Sequence, residues 1–246
     1  AFIWRLILTT GTGSIFGFLV AREAYDAAIL APMFIAMSFS LGMAVFILVV
    51  LATFLGTGRP LGDLILRRMK NLLGIFVAGV LYFVLAYHLT NLYATRLHGI
   101  EAFVLLNGGI YTFLFWVVQI GIGSVLPLVL LFHPVWSQSR RVIAAAAGLV
   151  LVGGFAQLYV IVIGGQAYPL EMFPGYEMSS SFFDGVVASY VPSLPELMLG
   201  VGGVGFALLL FTLALKFLPF LPTSLSDEHV DPHAARSGAG TAAAGA

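Results

Sequence analysis

The chain contains no cysteine. That excludes disulfides, thiolate zinc sites and any iron–sulfur cluster ligated by the chain itself. Charge is the next scarcity: 9% of the 246 residues are Asp, Glu, Lys or Arg, against about 25% in a soluble domain. The few charges cancel, eleven basic against eleven acidic, so there is no basic surface for nucleic acid. The chain opens on Ala1 and enters an apolar run at once. No signal peptide is expected there, and the chain is expected to be the C-terminal part of a longer protein. What is abundant is hydrocarbon: 60% of the residues are apolar and the mean hydropathy is +1.04. This is the composition of an all-α integral membrane protein.

Spanning a bilayer takes about 20 apolar residues in helical form. Six stretches qualify, at about 2–20, 28–55, 72–94, 104–132, 142–165 and 197–221. The first is interrupted by Thr9, Thr10, Thr12 and Ser14. The runs are continuous rather than alternating, which excludes barrel strands. Short connections predict antiparallel neighbours. Arg5, Arg59, Arg67, Arg68, Lys70, Arg140, Arg141, Lys216 and Arg236 collect on one side, leaving Arg22 and Arg96 on the other. The positive-inside rule makes the first side cytoplasmic, with both termini there. The expected location is a bacterial inner membrane, crossed several times. Glu23, Asp26, Glu101, Glu171, Glu177, Asp184 and Glu196 all fall outward, in connections rather than spans.

Residues 166–195 form one long outward connection with four prolines and no Lys or Arg. Its aromatic and aliphatic content argues against disorder. It is expected to be an ordered cap that docks a partner through Gln166, Tyr168, Glu171, Tyr176 and Glu177; an interfacial loop with aromatic anchors is the alternative. Residues 223–246, rich in Ala, Gly, Ser and Thr, are expected to be a disordered cytoplasmic tail.

Polar side chains in the spans are few, so each needs a reason. His88 lies in the third span with Tyr87 beside it and Asn91 one turn on, at i, i+3. Tyr111 and Gln119 lie in the fourth span and Gln157 in the fifth. With these orientations they gather toward the outer leaflet. A lining of His, Asn, Gln and Tyr suits a neutral ligand with two carbonyl or hydroxyl oxygens, such as a quinone headgroup, or a proton path serving one. Interhelical hydrogen bonding, worth about 0.6 kcal/mol each, would give the same residues a purely structural role. Histidine exchanges protons nearest physiological pH, which singles out His88. A transmembrane b-type haem is not expected. His88 and His133 lie near opposite surfaces of a core about 30 Å thick and cannot share one iron. Lys216 lies close to the end of the last span, where snorkelling explains it better than a retinal linkage. Gly13 and Gly17, and Gly153 and Gly154, suit close helix approach, and Pro127 should disturb the fourth span.

Several segments carry a family resemblance. They are ILAPMFIAMSFSLGMAVFILV in the second span, FWVVQIGIGSVLPLVLLF in the fourth, QLYVIVIGGQAYPL at the end of the fifth, and YVPSLPELMLGVGGVGF before the last. Together they resemble the NrfD/polysulfide reductase family of membrane subunits, in its ten-helix branch with DsrP-like subunits. The resemblance implies a haem-free anchor that interacts with quinone or quinol (menaquinone or ubiquinone). It implies a ferredoxin-like iron–sulfur subunit docked at one face and a further catalytic subunit beyond, with molybdopterin or sulfur chemistry. The resemblance also implies that spans two to five form an antiparallel four-helix bundle, and no quinone ligand is carried over, because six spans would be only part of a ten-helix protein. Two other classes stay open: a structural anchor with the quinone site elsewhere, and a small-solute transporter, although no internal repeat or midplane charge supports the latter.

Overall fold

The structure is a computed structural model and describes residues 2–170, 176, 185–218 and 221–230. Among the described residues it is helical, with α1 over Phe2–Gly17, α2 over Leu30–Thr57, α3 over Asp63–Tyr93 and a short α4 over His98–Ala102. Then come α5 over Ile110–Phe132, α6 over Arg140–Ala167 and α7 over Leu194–Phe217. A final turn, α8, covers Asp227–Val230. Five of these helices, α2, α3, α5, α6 and α7, are long and apolar enough to cross a membrane. The protein is an all-α, multi-pass membrane protein. The α1 helix, which coincides with the first apolar stretch of the sequence, has 16 residues. That is about 24 Å at 1.5 Å per residue.

Helices α2, α3, α5 and α6 pack as a ring of antiparallel neighbours, and α1 lies along α2. The buried side chains divide into two cores. One holds Met33, Val84, Ile100, Val104, Phe115 and Val160; the other holds Ile47, Leu73, Leu131, Ile143 and Val150. Between the cores, α5 and α6 touch backbone to backbone. A Cβ on Gly123 or on Gly153 would overlap the other's Cα. The α7 helix differs, because none of its residues is buried.

Two local departures from regular helix shape the middle of the bundle. Gly109 has φ +57°, a left-handed conformation that glycine adopts without penalty. It breaks the expected span at 104–132 into a turn over Phe103–Asn107 and the start of α5. Then α5 widens to i→i+5 hydrogen bonding over Leu114–Val125, and α6 does so over Val160–Gly164. Pro127, which has no N–H to donate, closely follows the first widened stretch. Such widened turns re-aim side chains and recur at functional sites.

The third helix begins earlier than its apolar run. Asp63, Arg67, Arg68 and Lys70, which by polarity belong to a connection, form its first two turns. Part of the segment expected to be a free tail folds back onto this end. Gly62 N–H donates to the Leu225 carbonyl (2.7 Å), and Leu225 N–H to that of Pro60 (3.0 Å). The Asp227 carboxylate accepts from the backbone N–H groups of Leu64 (2.9 Å) and Asp63 (3.3 Å). It therefore caps α3, whose first N–H groups lack helical partners. Residues 231–246 lie outside the described residues.

Candidate functional site

The site is built where the end of α3, the short α4, the widened part of α5 and the C-terminal part of α6 meet. His88 projects from α3, and its Nδ1 lies 2.6 Å from Glu101 Oε2. Asn91, one turn along the same face, donates from Nδ2 to Glu101 Oε1 at 2.8 Å. Both carboxylate oxygens are thus engaged. Glu101 is 2% exposed and Asn91 1%. A heavy-atom separation of 2.6 Å places one proton between His88 and Glu101. The Phe115 ring packs edge-on against His88 at 4.8 Å, and the Tyr87 ring at 5.0 Å. Tyr87 Oη donates to the Ala24 carbonyl at 2.6 Å, tying α3 to the connection before α2.

Glu101 corrects the expectation from sequence. It is not an outward-facing loop acid but the buried partner of His88. Hydropathy places it outside because the continuous apolar run begins only after it, at Ala102. The signal that finds it is periodicity. Leu97, Ile100 and Val104 recur at helical spacing and are all buried. Glu101, one turn after Leu97, falls on that same face.

His88, Glu101, Tyr87, Gln119 and Gln157 line one partly open cavity of about 40 Å³. A water needs about 10–15 Å³ of such space, and a cavity of about 150 Å³ admits benzene. The cavity therefore has room for two or three waters and is smaller than a six-membered ring requires. A second, smaller cavity, about 20 Å³, is lined by Ser40, Ser124 and again Gln157. Gln157 Nε2 is buried and has no hydrogen-bond partner among the described residues. A donor left bare costs about 1–3 kcal/mol, which favours a bound oxygen, from water or ligand, beside it.

Of the six candidate residues, the structure brings His88, Tyr87, Gln119 and Gln157 to this cavity, and Asn91 stands behind Glu101. Tyr111 does not join them. It is buried in the adjacent aromatic layer, stacked on Tyr159 at 6.1 Å and tilted against Phe103 at 5.5 Å. Of the expected docking residues, Gln166 and Tyr168 offer their carbonyls to the Arg22 guanidinium at 2.9 and 3.3 Å. The Tyr168 ring packs on Phe103 at 5.5 Å. Tyr176 is 80% exposed, and Glu171 and Glu177 lie outside the described residues. In the connection before α2, burial pushes the Tyr25 hydroxyl above its ordinary pKa, and it donates to the Val162 carbonyl at 3.0 Å.

Comparison with known proteins agrees with this architecture. The integral membrane component of the Hdr-like menaquinol oxidoreductase of Archaeoglobus fulgidus is 28% identical over 234 residues, covering 94% of this chain and 59% of the relative. A selenate reductase component of Mesobacillus selenatarsenatis is 30% identical over 210 residues, covering 85% of this chain and 47% of the relative. The chain thus spans about half the length of the curated relatives it matches. No solved structure matches it. The family model described as polysulphide reductase, NrfD, matches residues 1–169. That match contains α1 to α6 and the whole of the His88–Glu101 site, and the chain belongs to the NrfD family of membrane proteins.

Proposed function

We propose that the chain is the quinone- or quinol-interacting membrane subunit of a multi-subunit oxidoreductase, with the His88–Glu101 pair exchanging the proton. The observation that carries the reading is a hydrogen-bonded His–Glu pair, its Glu buried and its His part-buried, facing a water-sized cavity in a membrane bundle. Intramembrane ionisable pairs are costly and mark proton relays. The names of the relatives, one a menaquinol oxidoreductase and the other a selenate reductase, support the same class.

Oxidising a quinol to a quinone releases two protons and two electrons, and the reverse reaction takes them up. Without cysteine, this chain ligates no cluster. The electrons therefore pass to or from an iron–sulfur subunit docked at one face, with a catalytic subunit beyond. The chain's own work is proton handling. His88 takes or gives the proton, and Glu101 stabilises the charged imidazole that results. Asn91 holds Glu101 in line. The donor set suits a hydroxyl or carbonyl oxygen, while the cavity volume suits water. His88 therefore reaches an oxygen outside the cavity through the water within it, and Gln119 and Gln157 orient that water. Tyr111 supports the wall.

The positive-inside rule puts the basic ends of α3 and α6 in the cytoplasm and the His88 site toward the opposite surface of the cytoplasmic membrane. The connection after α6, beginning at Gln166 and Tyr168, then lies on the same side as the site and is the proposed docking face for the iron–sulfur partner. Quinol oxidation by the assembled complex tests the proposal. His88→Ala should lower turnover by about a hundredfold, the low end of general acid–base contributions, with the complex still assembled. Unchanged turnover would leave the chain as a structural anchor.

A further inference from the structure

At the opposite end of the bundle, an open notch of about 370 Å³ lies between the first turns of α3 and the connection from α5 to α6. Asp63, Arg67, Lys70, Ser137 and Gln138 line it. Its charges do not balance. Asp63, the one carboxylate in the lining, is engaged by Arg140, whose Nη2 donates to it at 2.9 Å. Lys70 is only 9% exposed. Its ammonium donates to the Leu131 carbonyl at 2.9 Å, and no carboxylate pairs with it among the described residues. Arg67 is exposed and has no ion pair there either. Two positive charges, one of them largely desolvated, thus face a polar notch whose one carboxylate is already engaged by Arg140. A desolvated cation is stable only when something pairs with it.

The depth of the notch tells which anion. With 31 residues, α3 is about 46 Å long, against about 40–45 Å for a bilayer with its headgroups and about 30 Å for the hydrocarbon core. The first turns of α3 therefore lie in the headgroup layer. Lys70 sits about 10 Å along the helix from Asp63, at the inner edge of that layer. We propose that the notch binds the phosphodiester headgroup of an anionic lipid, with Lys70 and Arg67 on the phosphate oxygens and Ser137 and Gln138 as polar neighbours. Basic pockets between spanning helices take such headgroups. This site is separate from the His88–Glu101 pair and does not depend on the reading given to that pair.

The test is native mass spectrometry of the full chain, transferred from mild detergent into nanodiscs of phosphatidylcholine doped with phosphatidylglycerol. One phosphatidylglycerol should stay bound in preference to phosphatidylcholine. Arg67→Gln and Lys70→Gln should each weaken its retention roughly fivefold, and both together roughly 25-fold, from about 1 kcal/mol per cation near the surface. Arg68→Gln with Arg141→Gln removes the same charge from exposed positions that do not line the notch, and retention should not change. Equal losses in the two double variants would show diffuse surface attraction and overturn the proposal. So would displacement of the lipid by inorganic phosphate, which would make the free ion the ligand. If Lys70→Gln fails to fold, Arg67→Gln at its exposed position decides the matter alone.

Discussion

The two ends of the bundle handle charge in opposite ways. In the His88–Glu101 region a part-buried base and a buried acid satisfy each other, with Asn91 on the remaining carboxylate oxygen. At the basic end, Lys70 is buried against a backbone carbonyl and pairs with no acid among the described residues. A closed pair can trade a proton while its surroundings stay fixed. An open cation asks for an anion from outside. The same membrane constraint, that a buried charge must be matched, therefore underlies both the proposed relay at one end and the proposed binding notch at the other.

Breaking the closed pair from one side should give the largest effect on stability. Glu101→Ala strands His88, and His88→Ala strands Glu101. Each should destabilise the bundle by about 3–5 kcal/mol if the partner stays charged, read as a lower melting temperature in detergent. Replacing both, as His88→Phe with Glu101→Leu, should restore most of that stability, since a buried pair replaced by apolar groups is often neutral. Turnover should not return. Recovery of both together would mean that the pair is only structural.

The same operation at the open end should be milder. Lys70→Met removes a cation that has no acid partner among the described residues, so the charged bond to the Leu131 carbonyl is what is lost, about 1.5–3 kcal/mol. A loss as large as that of Glu101→Ala would mean that Lys70 has an internal counter-charge and would erase the contrast. Asp227→Ala should also lower stability by about 1 kcal/mol, as cap removals do. It should open residues 221–230 to protease. Smallest of all, Arg140→Gln breaks a partly exposed pair with Asp63 and should change stability by about 0–1 kcal/mol, an effect that salt weakens.

The contrast also explains what is legible in the sequence. The middle spans are, because continuous hydrocarbon has one solution in a bilayer, a helix. Their ends are not. Asp63, Arg67, Arg68 and Lys70 look like a connection by polarity, yet they form the first turns of α3, because a helix can run on past its apolar stretch. The turn at Phe103–Asn107 hides inside an apolar run, since only the backbone of Gly109 betrays it. His88, Asn91, Gln119 and Gln157 stand out as polar residues where polarity is costly. Glu101 does not stand out that way. It stands immediately before the apolar run and enters the core because α4 turns it inward. Asp227 is equally hidden, because an N-cap supplied from a distant segment leaves no local pattern.

The central claim is that His88 and Glu101 act as one proton-exchanging unit. The most direct measurement is quinol oxidation by the assembled complex carrying Glu101→Gln, which keeps the shape and a hydrogen bond to His88 but removes the carboxylate. The account predicts assembly at normal yield and turnover reduced by about a hundredfold, with a pH profile displaced from that of the unmodified complex. Normal turnover with an unchanged pH profile would contradict it.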